Sequence, residues 1–243
     1  MFHTDEEYYS DREYLSNSSM GILMESLDKF YLWKNRLWEQ KDIPAYYFGR
    51  AIHSYFLEGE DKAVEYADRR YGAAFNEFAK LNEGKIILTS KEYDNYCALR
   101  ERLDTCQELI GLIDRTIFKA EVPAIGECFG VPVKAKADGI LDDGFSRTLI
   151  DLKTTSSSVN DFHKKARDYN YDRQAALYKH LFGCDRFIFI VVTKEYPVEI
   201  GIFECSDEFM DRGTGKLIEA TTAYRHFFID SQYQFGSVYR STL

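Results

Sequence analysis

"TLIDLKTTSSSVNDF", residues 148–162, sets an aspartate and a lysine two positions apart inside a run that otherwise reads as a buried strand. Charged side chains are rarely buried unless they are paired or bound to something. Side chains alternate faces along a strand, so Leu149, Asp151 and Lys153 share one face while Thr148, Ile150 and Leu152 share the other. Asp151 and Lys153 therefore point the same way, about 7 Å apart along the strand. Such a pair is either an ion pair or the holder of a reaction.

The residues just upstream favour a reaction. "VPVKAKADGIL" alternates Val131, Val133, Ala135 and Ala137 with Lys134, Lys136 and Asp138, the pattern of a half-buried strand, and "LDDGFSR" is turn chemistry. A hairpin at that turn would bring Asp138 alongside Asp151. Two converging carboxylates repel unless one is protonated or a cation lies between them. Oxygen ligands of this kind suit a hard divalent ion, Mg²⁺ with Mn²⁺ as a substitute. A lysine beside that ion can position or deprotonate a water, or stabilise charge on a phosphoryl oxygen.

Further out, "FHKKARDYNYDRQAALYK" (residues 162–179) reads as a helix ending near Gly183. Its Lys164, Lys165, Arg167, Arg173 and Lys179 outnumber Asp168 and Asp172, a basic island in a chain of net charge −9. An acidic total argues against nucleic-acid binding on average, but screening limits each charge to roughly 8–10 Å, so the local distribution matters more. "RFIFIVVTKE" reads as a strand buried on both faces, "PVEIGIFEC" as its hairpin neighbour, and Asp207 to His226 as a last helix.

The first half reads as helices. "SNSSMGILMESLDKFYLWKNRLW" has apolar residues at helical spacing. "PAYYFGRAIHSYFLEG" runs to a stop at Gly59, and "SKEYDNYCALRERLDTCQELIGLID" opens at Ser90 and reaches about Asp114. Helices followed by β-β-β-α-β-β-α imply an α/β (mixed α+β) fold with a central mixed sheet. The expected division is one domain over residues 1–243, with a mainly helical part to about 118 and a sheet core from 119 onward.

Composition narrows the class. No stretch of about 18 apolar residues occurs, so no membrane span is expected, and the acidic start "MFHTDEEYYSDREY" lacks a secretory layout and reads as a solvated tail. Five scattered cysteines without a C-x-x-C pair read as reduced cytosolic thiols, which predicts a cytoplasmic protein.

Asp138, Asp151 and Lys153 resemble the D-x(n)-(D/E)-x-K centre of the PD-(D/E)XK nucleases. "GRAIH" (Gly49 to His53) is similar to the G-x-x-x-H motif upstream of the aspartates in the RecB branch of that superfamily, and "QAALY" (Gln174 to Tyr178) to its downstream Q-x-x-x-Y motif. Four short motifs in this order are a specific signal where one alone is not. Within the branch, the likeness is to the exonuclease VIII (RecE-type) nuclease domain, over about residues 15–225, with Lys136 standing where many relatives carry arginine.

The resemblance implies a restriction-endonuclease-like core and 5′→3′ digestion of linear duplex DNA from an end, in phage-type recombination. It implies Asp138, Asp151, His53 and the Leu152 carbonyl as metal ligands, and Lys153 as the group that orients water. Gln174 and Tyr178, at i and i+4, would face DNA together with Lys164, Lys165 and Arg173. A homo-oligomeric ring and a single-strand annealing partner follow by the same analogy.

Glu58, Glu121 and Glu127 read as structural partners of nearby cations, with Glu121 the first candidate for another role. Two alternatives stand beside the exonuclease: a non-catalytic DNA-binding module that keeps the nuclease fold, and an endonuclease or flap nuclease of the same superfamily. The cysteine spacing cannot build the iron–sulfur quartet that the flap-type enzymes usually carry.

Overall fold

A computed structural model describes residues 4–39 and 45–236. The N-terminal part contains helices α1 (Asp5–Ser10), α2 (Asn17–Glu25), α3 (Leu27–Lys34) and α4 (Ala45–His53). The small strand β1 (Ala63–Tyr66), α5 (Ala73–Leu81), β2 (Ile86–Thr89), α6 (Ser90–Thr105) and α7 (Gln107–Leu112) follow. The remainder carries β3 (Phe118–Cys128), β4 (Val131–Asp142), β5 (Arg147–Thr155), α8 (Phe162–Asp168), α9 (Tyr171–Phe182), β6 (Arg186–Thr193), β7 (Ile200–Glu204) and α10 (Asp207–Tyr224).

Strands β3 to β7 form one five-stranded sheet in sequence order. All neighbours are antiparallel except β5 and β6, which run parallel. A parallel pair needs a crossover, and α8 and α9 supply it. Helices cover both faces of the middle strands, which is why β6 is a continuous apolar run. On one face Ile150, Leu152, Ile188, Ile190 and Val192 pack on Phe48, Ile52, Tyr96 and Leu99 of the N-terminal helices. On the other, Leu149, Phe187, Phe189 and Val191 meet Phe162, Ala166, Ala175 and Phe182. Each such Leu, Ile, Val or Phe side chain, fully buried, contributes about 1.5–3 kcal/mol. These two layers hold β5 from both sides.

Several elements depart from the sequence expectation. The serine-rich helix is two helices, because Ser26 ends α2 and caps α3. Residues 90–114 break at Cys106, and the N-cap is Thr89, in a capping box with Glu92, rather than Ser90. The basic segment also divides, at Asn170 with φ 55°. The small parallel pair β1 and β2 has no counterpart in the sequence expectation.

The acidic start is not a solvated tail from residue 5 onward. Thr4 and Glu7 form a capping box, and α1 docks on β4. There Lys134 donates to the carbonyls of Tyr8 and Asp11, and Lys136 pairs with Asp5. Both lysines are thereby buried where an exposed strand face was expected. Residues 1–3, 40–44 and 237–243, Pro44 among them, lie outside the described residues. Among the described residues all five cysteines are free thiols, and no helix is long and apolar enough to cross a membrane.

Helices α9 and α10 are locked by Asp172, which is fully buried and held by Arg212 at 2.7 Å and Lys216 at 3.0 Å. Those hydrogen bonds keep its carboxyl below the ordinary carboxylate range although burial alone would raise it. Gly213 permits the close approach, since a Cβ there would overlap the Asp172 carbonyl.

Candidate active site

The site lies where two strands part. The β4–β5 ladder runs from Asp142↔Arg147 to Gly139↔Ile150 and stops. Beyond it come Asp138 and Asp151. The Leu152 N–H donates to Asp138 Oδ2 at 2.9 Å, so the carboxylate takes the place of the missing ladder acceptor. Such a buried donor has to find a partner.

Helix α4 delivers His53 from the opposite face of β5. Gly49, one turn earlier, lets the helix come close: a Cβ there would sit 3.4 Å from Thr154 Oγ1. Residues at i and i+4 share a helix face, which accounts for glycine and histidine four positions apart. Immediately after His53 the chain opens into a π-type turn, Ser54–Glu58, closed by Gly59 at φ 75°. His53 Nε2 is 2.8 Å from the Leu152 carbonyl. A carbonyl only accepts, so Nε2 carries the proton. The other ring nitrogen, Nδ1, lies 3.6 Å from Asp138 Oδ2.

Asp151 is 1% exposed. Gln174 Nε2 donates to its Oδ2. Its Oδ1 lies 2.7 Å from Lys153 Nζ and is paired with that ammonium. A carboxylate buried this deeply needs a positive partner, and Lys153 supplies it here. Burial, with the charge of Asp151 second, pushes the Asp138 carboxyl up to about 6. Burial works against the Lys153 ammonium, but Asp151 and Asp138 outweigh it and hold its pKa above the ordinary lysine value. Lys153 also rests on the ring of Tyr171, 4.7 Å from its centroid.

Glu121 joins this group. It stands opposite Asp138 in the β3–β4 ladder, between Ala120↔Gly139 and Val122↔Ala137, with φ 55°. His53, Glu121 and Asp138 each present one ligand atom within 4.8 Å of the others. Glu121 also pairs with Lys136. The left-handed backbone of a glutamate within a strand leaves no mark in sequence spacing, and no motif pointed to this residue. Together with the Asp151 oxygen and the Leu152 carbonyl, the donors are oxygen-rich with one imidazole, a set that fits a hard divalent cation.

The structure brings His53, Asp138, Asp151, Leu152 and Lys153 together. It places the residues expected to face DNA differently. Gln174 is buried against Asp151, and Tyr178 is hydrogen-bonded to Gln174 and packed on Phe182 and Phe187, with burial raising its pKa far above the ordinary value. Both support the acid from inside the fold. Arg173 is also buried, its guanidinium bonded to the side chain and carbonyl of Asn17, which ties α9 to α2. Gln174 and Arg173 thus make internal contacts, and Tyr178 is half-buried beside them, because α9 turns that face toward the sheet. Lys164 is exposed, and Lys165 is half-buried with its ammonium on Thr155 Oγ1 at 2.6 Å.

A mixed sheet flanked by helices, with Asp138 and Asp-x-Lys at parting strands, defines the PD-(D/E)XK type of fold. The chain belongs to the family described as "PDDEXK-like domain of unknown function (DUF3799)", whose model matches residues 16–230. No protein with a curated description matches it. Among solved structures it is similar to a protein described as a candidate exonuclease from Eubacterium rectale, at 20% identity and TM-score 0.66, covering 93% of this chain and 86% of that one. A phage-related exonuclease from Haemophilus somnus aligns over 88% of this chain and 94% of that one at 15% identity, but its TM-score of 0.39 carries no weight.

Proposed function

We propose that this protein is a divalent-metal-dependent deoxyribonuclease that hydrolyses phosphodiester bonds, working as an exonuclease on linear duplex DNA. The observation that carries this reading is the carboxylate pair Asp138, half-buried, and Asp151, buried, with His53 and Glu121 each within 4.8 Å of an Asp138 oxygen and a charged Lys153 paired with Asp151. Mg²⁺ is the expected ion, with Mn²⁺ as substitute, held by Asp138, Asp151, His53, Glu121 and the Leu152 carbonyl. When bound, it would polarise the scissile phosphate and lower the pKa of a coordinated water.

The side chains divide the remaining work. Gln174 fixes the Asp151 carboxylate, and the Leu152 N–H fixes that of Asp138. Lys153 is held as an ammonium, so it donates hydrogen bonds to the attacking water or a phosphoryl oxygen instead of removing a proton. Hydrolysis then bonds the water oxygen to phosphorus, breaks the phosphorus–oxygen bond to the leaving nucleoside, and passes one proton to that oxygen.

The exonuclease VIII-like motif order supports attack at ends with 5′→3′ polarity. A single nuclease domain, a homo-oligomeric ring and an annealing partner belong to the same reading. The test is digestion of a linear duplex and a covalently closed circle in Mg²⁺, with and without a chelator. We expect loss of the linear form alone, stopped by the chelator and by Asp151→Ala. Equal digestion by Asp151→Ala would sink the assignment, and cleavage of the circle would move it to an endonuclease. Binding without turnover would leave a DNA-binding module.

A further inference from the structure

Asn170, the residue that separates α8 from α9, adopts φ 55°. Its side-chain oxygen accepts from Lys216 Nζ at 2.8 Å, and its backbone carbonyl accepts from the Gln174 N–H at 3.2 Å. Side chains two apart on a continuous helix face different ways. The left-handed residue instead brings Tyr169 and Tyr171 to one side, with ring centroids 5.9 Å apart and planes 34° from parallel. The turn that sets these rings is thus anchored to the same helix that holds Gln174 on Asp151.

The two rings have different surroundings. Tyr171 lies inward: it packs on Phe162 and Phe189, centroids at 5.8 and 5.7 Å, and carries the Lys153 ammonium 4.7 Å from its centre. Tyr169 lies outward and is 62% exposed, with Tyr171 its single ring neighbour among the described residues. A short aromatic step therefore leads from Lys153, beside the carboxylate pair, to the surface. An exposed ring contributes little to the fold, because it removes little apolar area from water.

The ground around this step is basic. Lys165, one turn before Tyr169 on α8, is engaged with Thr155 Oγ1. Lys164 and Arg167 are exposed and form no ion pair among the described residues, although Asp161 and Asp168 flank them in sequence. An open π face with cations beside it, adjoining a hydrolytic centre, matches a nucleotide out of its base pair: every base has a face to stack, and every linkage carries a negative charge.

We propose that Tyr169, backed by Tyr171, stacks an unpaired base of the DNA strand being cut, next to the scissile phosphate, with Lys164 and Arg167 toward the phosphates beyond. The inference rests on the nuclease reading and deepens it: the nucleotide that enters the site leaves its base pair first.

The experiment measures cleavage of linear duplexes in Mg²⁺ by the parent, Tyr169→Phe and Tyr169→Ala. The cut strand carries either normal nucleotides or one abasic residue at each of its first three positions in turn. Tyr169→Ala should raise KM about tenfold, the size of one base–aromatic stack, with a smaller change in kcat, while Tyr169→Phe stays near the parent. At one abasic position the parent should lose the same factor and Tyr169→Ala should lose nothing more. That loss should not vary with salt, since stacking neutralises no phosphate. The Lys164→Gln/Arg167→Gln variant should instead make the slope of log kcat/KM against log salt shallower by about 1–2.

A Tyr169→Ala variant that matches the parent, a loss shared by Tyr169→Phe, or a penalty that persists at every abasic position would overturn the stack and leave Tyr169 as a cover over Tyr171. If the alanine variant does not fold, the abasic series with the parent carries the test. A parent that cleaves nothing would overturn the nuclease reading instead. Fluorescence anisotropy of single-stranded oligonucleotides in EDTA, with and without an abasic residue, would then decide the stack separately. Tighter binding of the base-bearing strand by the parent but not by Tyr169→Ala supports it, and equal binding overturns it.

Discussion

Replacing Asp138 by asparagine should stabilise the cation-free protein while removing its capacity to bind the ion. The Asp138 carboxyl rises from its ordinary 3.8 to about 6, chiefly through burial and then through the charge of Asp151. A folded-state pKa above the unfolded one means that the folded protein holds the proton more tightly. Its favourable contribution is complete below about 3.8 and is lost as pH rises through about 6. At 1.36 kcal/mol per pH unit, the ionised carboxylate costs about 3 kcal/mol at pH 8 in the absence of a cation.

Asparagine fixes the neutral form, and its amide oxygen can still accept from the Leu152 N–H. Some attraction to Lys153 is lost, so the net gain should be about 1–3 kcal/mol. For a chain of this size that is about 3–10 °C in Tm. Melting in EDTA at pH 8 and pH 4 reads it directly: a higher Tm for the variant at pH 8, and little difference at pH 4. Added Mn²⁺ should raise the Tm of the parent and leave the variant unmoved. A variant that melts below the parent at pH 8 in EDTA would refute the reasoning, as would a gain of equal size at both pH values.

Gln174→Ala removes the donor that fixes Asp151 Oδ2, and kcat should fall about 10–100-fold with a weaker apparent affinity for Mg²⁺, measured by titrating cleavage against the ion. Normal kcat at saturating Mg²⁺ would show that the amide does not position the acid. Asp172→Ala leaves Arg212 and Lys216 facing an empty pocket between α9 and α10, and denaturant unfolding should show a loss of about 3–5 kcal/mol. A change below about 1 kcal/mol would mean that the buried ion pairs do not hold those helices.

What could be read from sequence was what local spacing dictates. Asp151 and Lys153 share a face because strand periodicity is two, and Gly49 and His53 share one because i and i+4 do on a helix. The alternation of β4 and the apolar run of β6 announced the sheet. Spacing cannot say which helix face turns inward, and so Gln174, Tyr178 and Arg173 were expected at the surface although α9 buries Gln174 and Arg173 and half-buries Tyr178. Nor does it reveal tertiary partners: the Thr4–Glu7 capping box is legible, but the docking of α1 on Lys134 and Lys136 is not. Glu121 stood out in sequence only as the first of the nearby acids to suspect, and its place opposite Asp138 needed the backbone itself. Breaks at Ser26 and Cys106 were likewise invisible, because apolar periodicity carries across a change of helix.

The claim beneath all of this is that side chains from α4, β4 and β5 enclose one hard cation. Crystals grown with Mn²⁺ and measured at the manganese absorption edge test it most directly. The account predicts an anomalous peak within ordinary ligand distance, about 2.0–2.6 Å, of Asp138, Asp151 and the Leu152 carbonyl, with the His53 ring turned toward it. Manganese found only at surface carboxylates, with His53 still bonded to Leu152 and Lys153 still paired with Asp151, would contradict it.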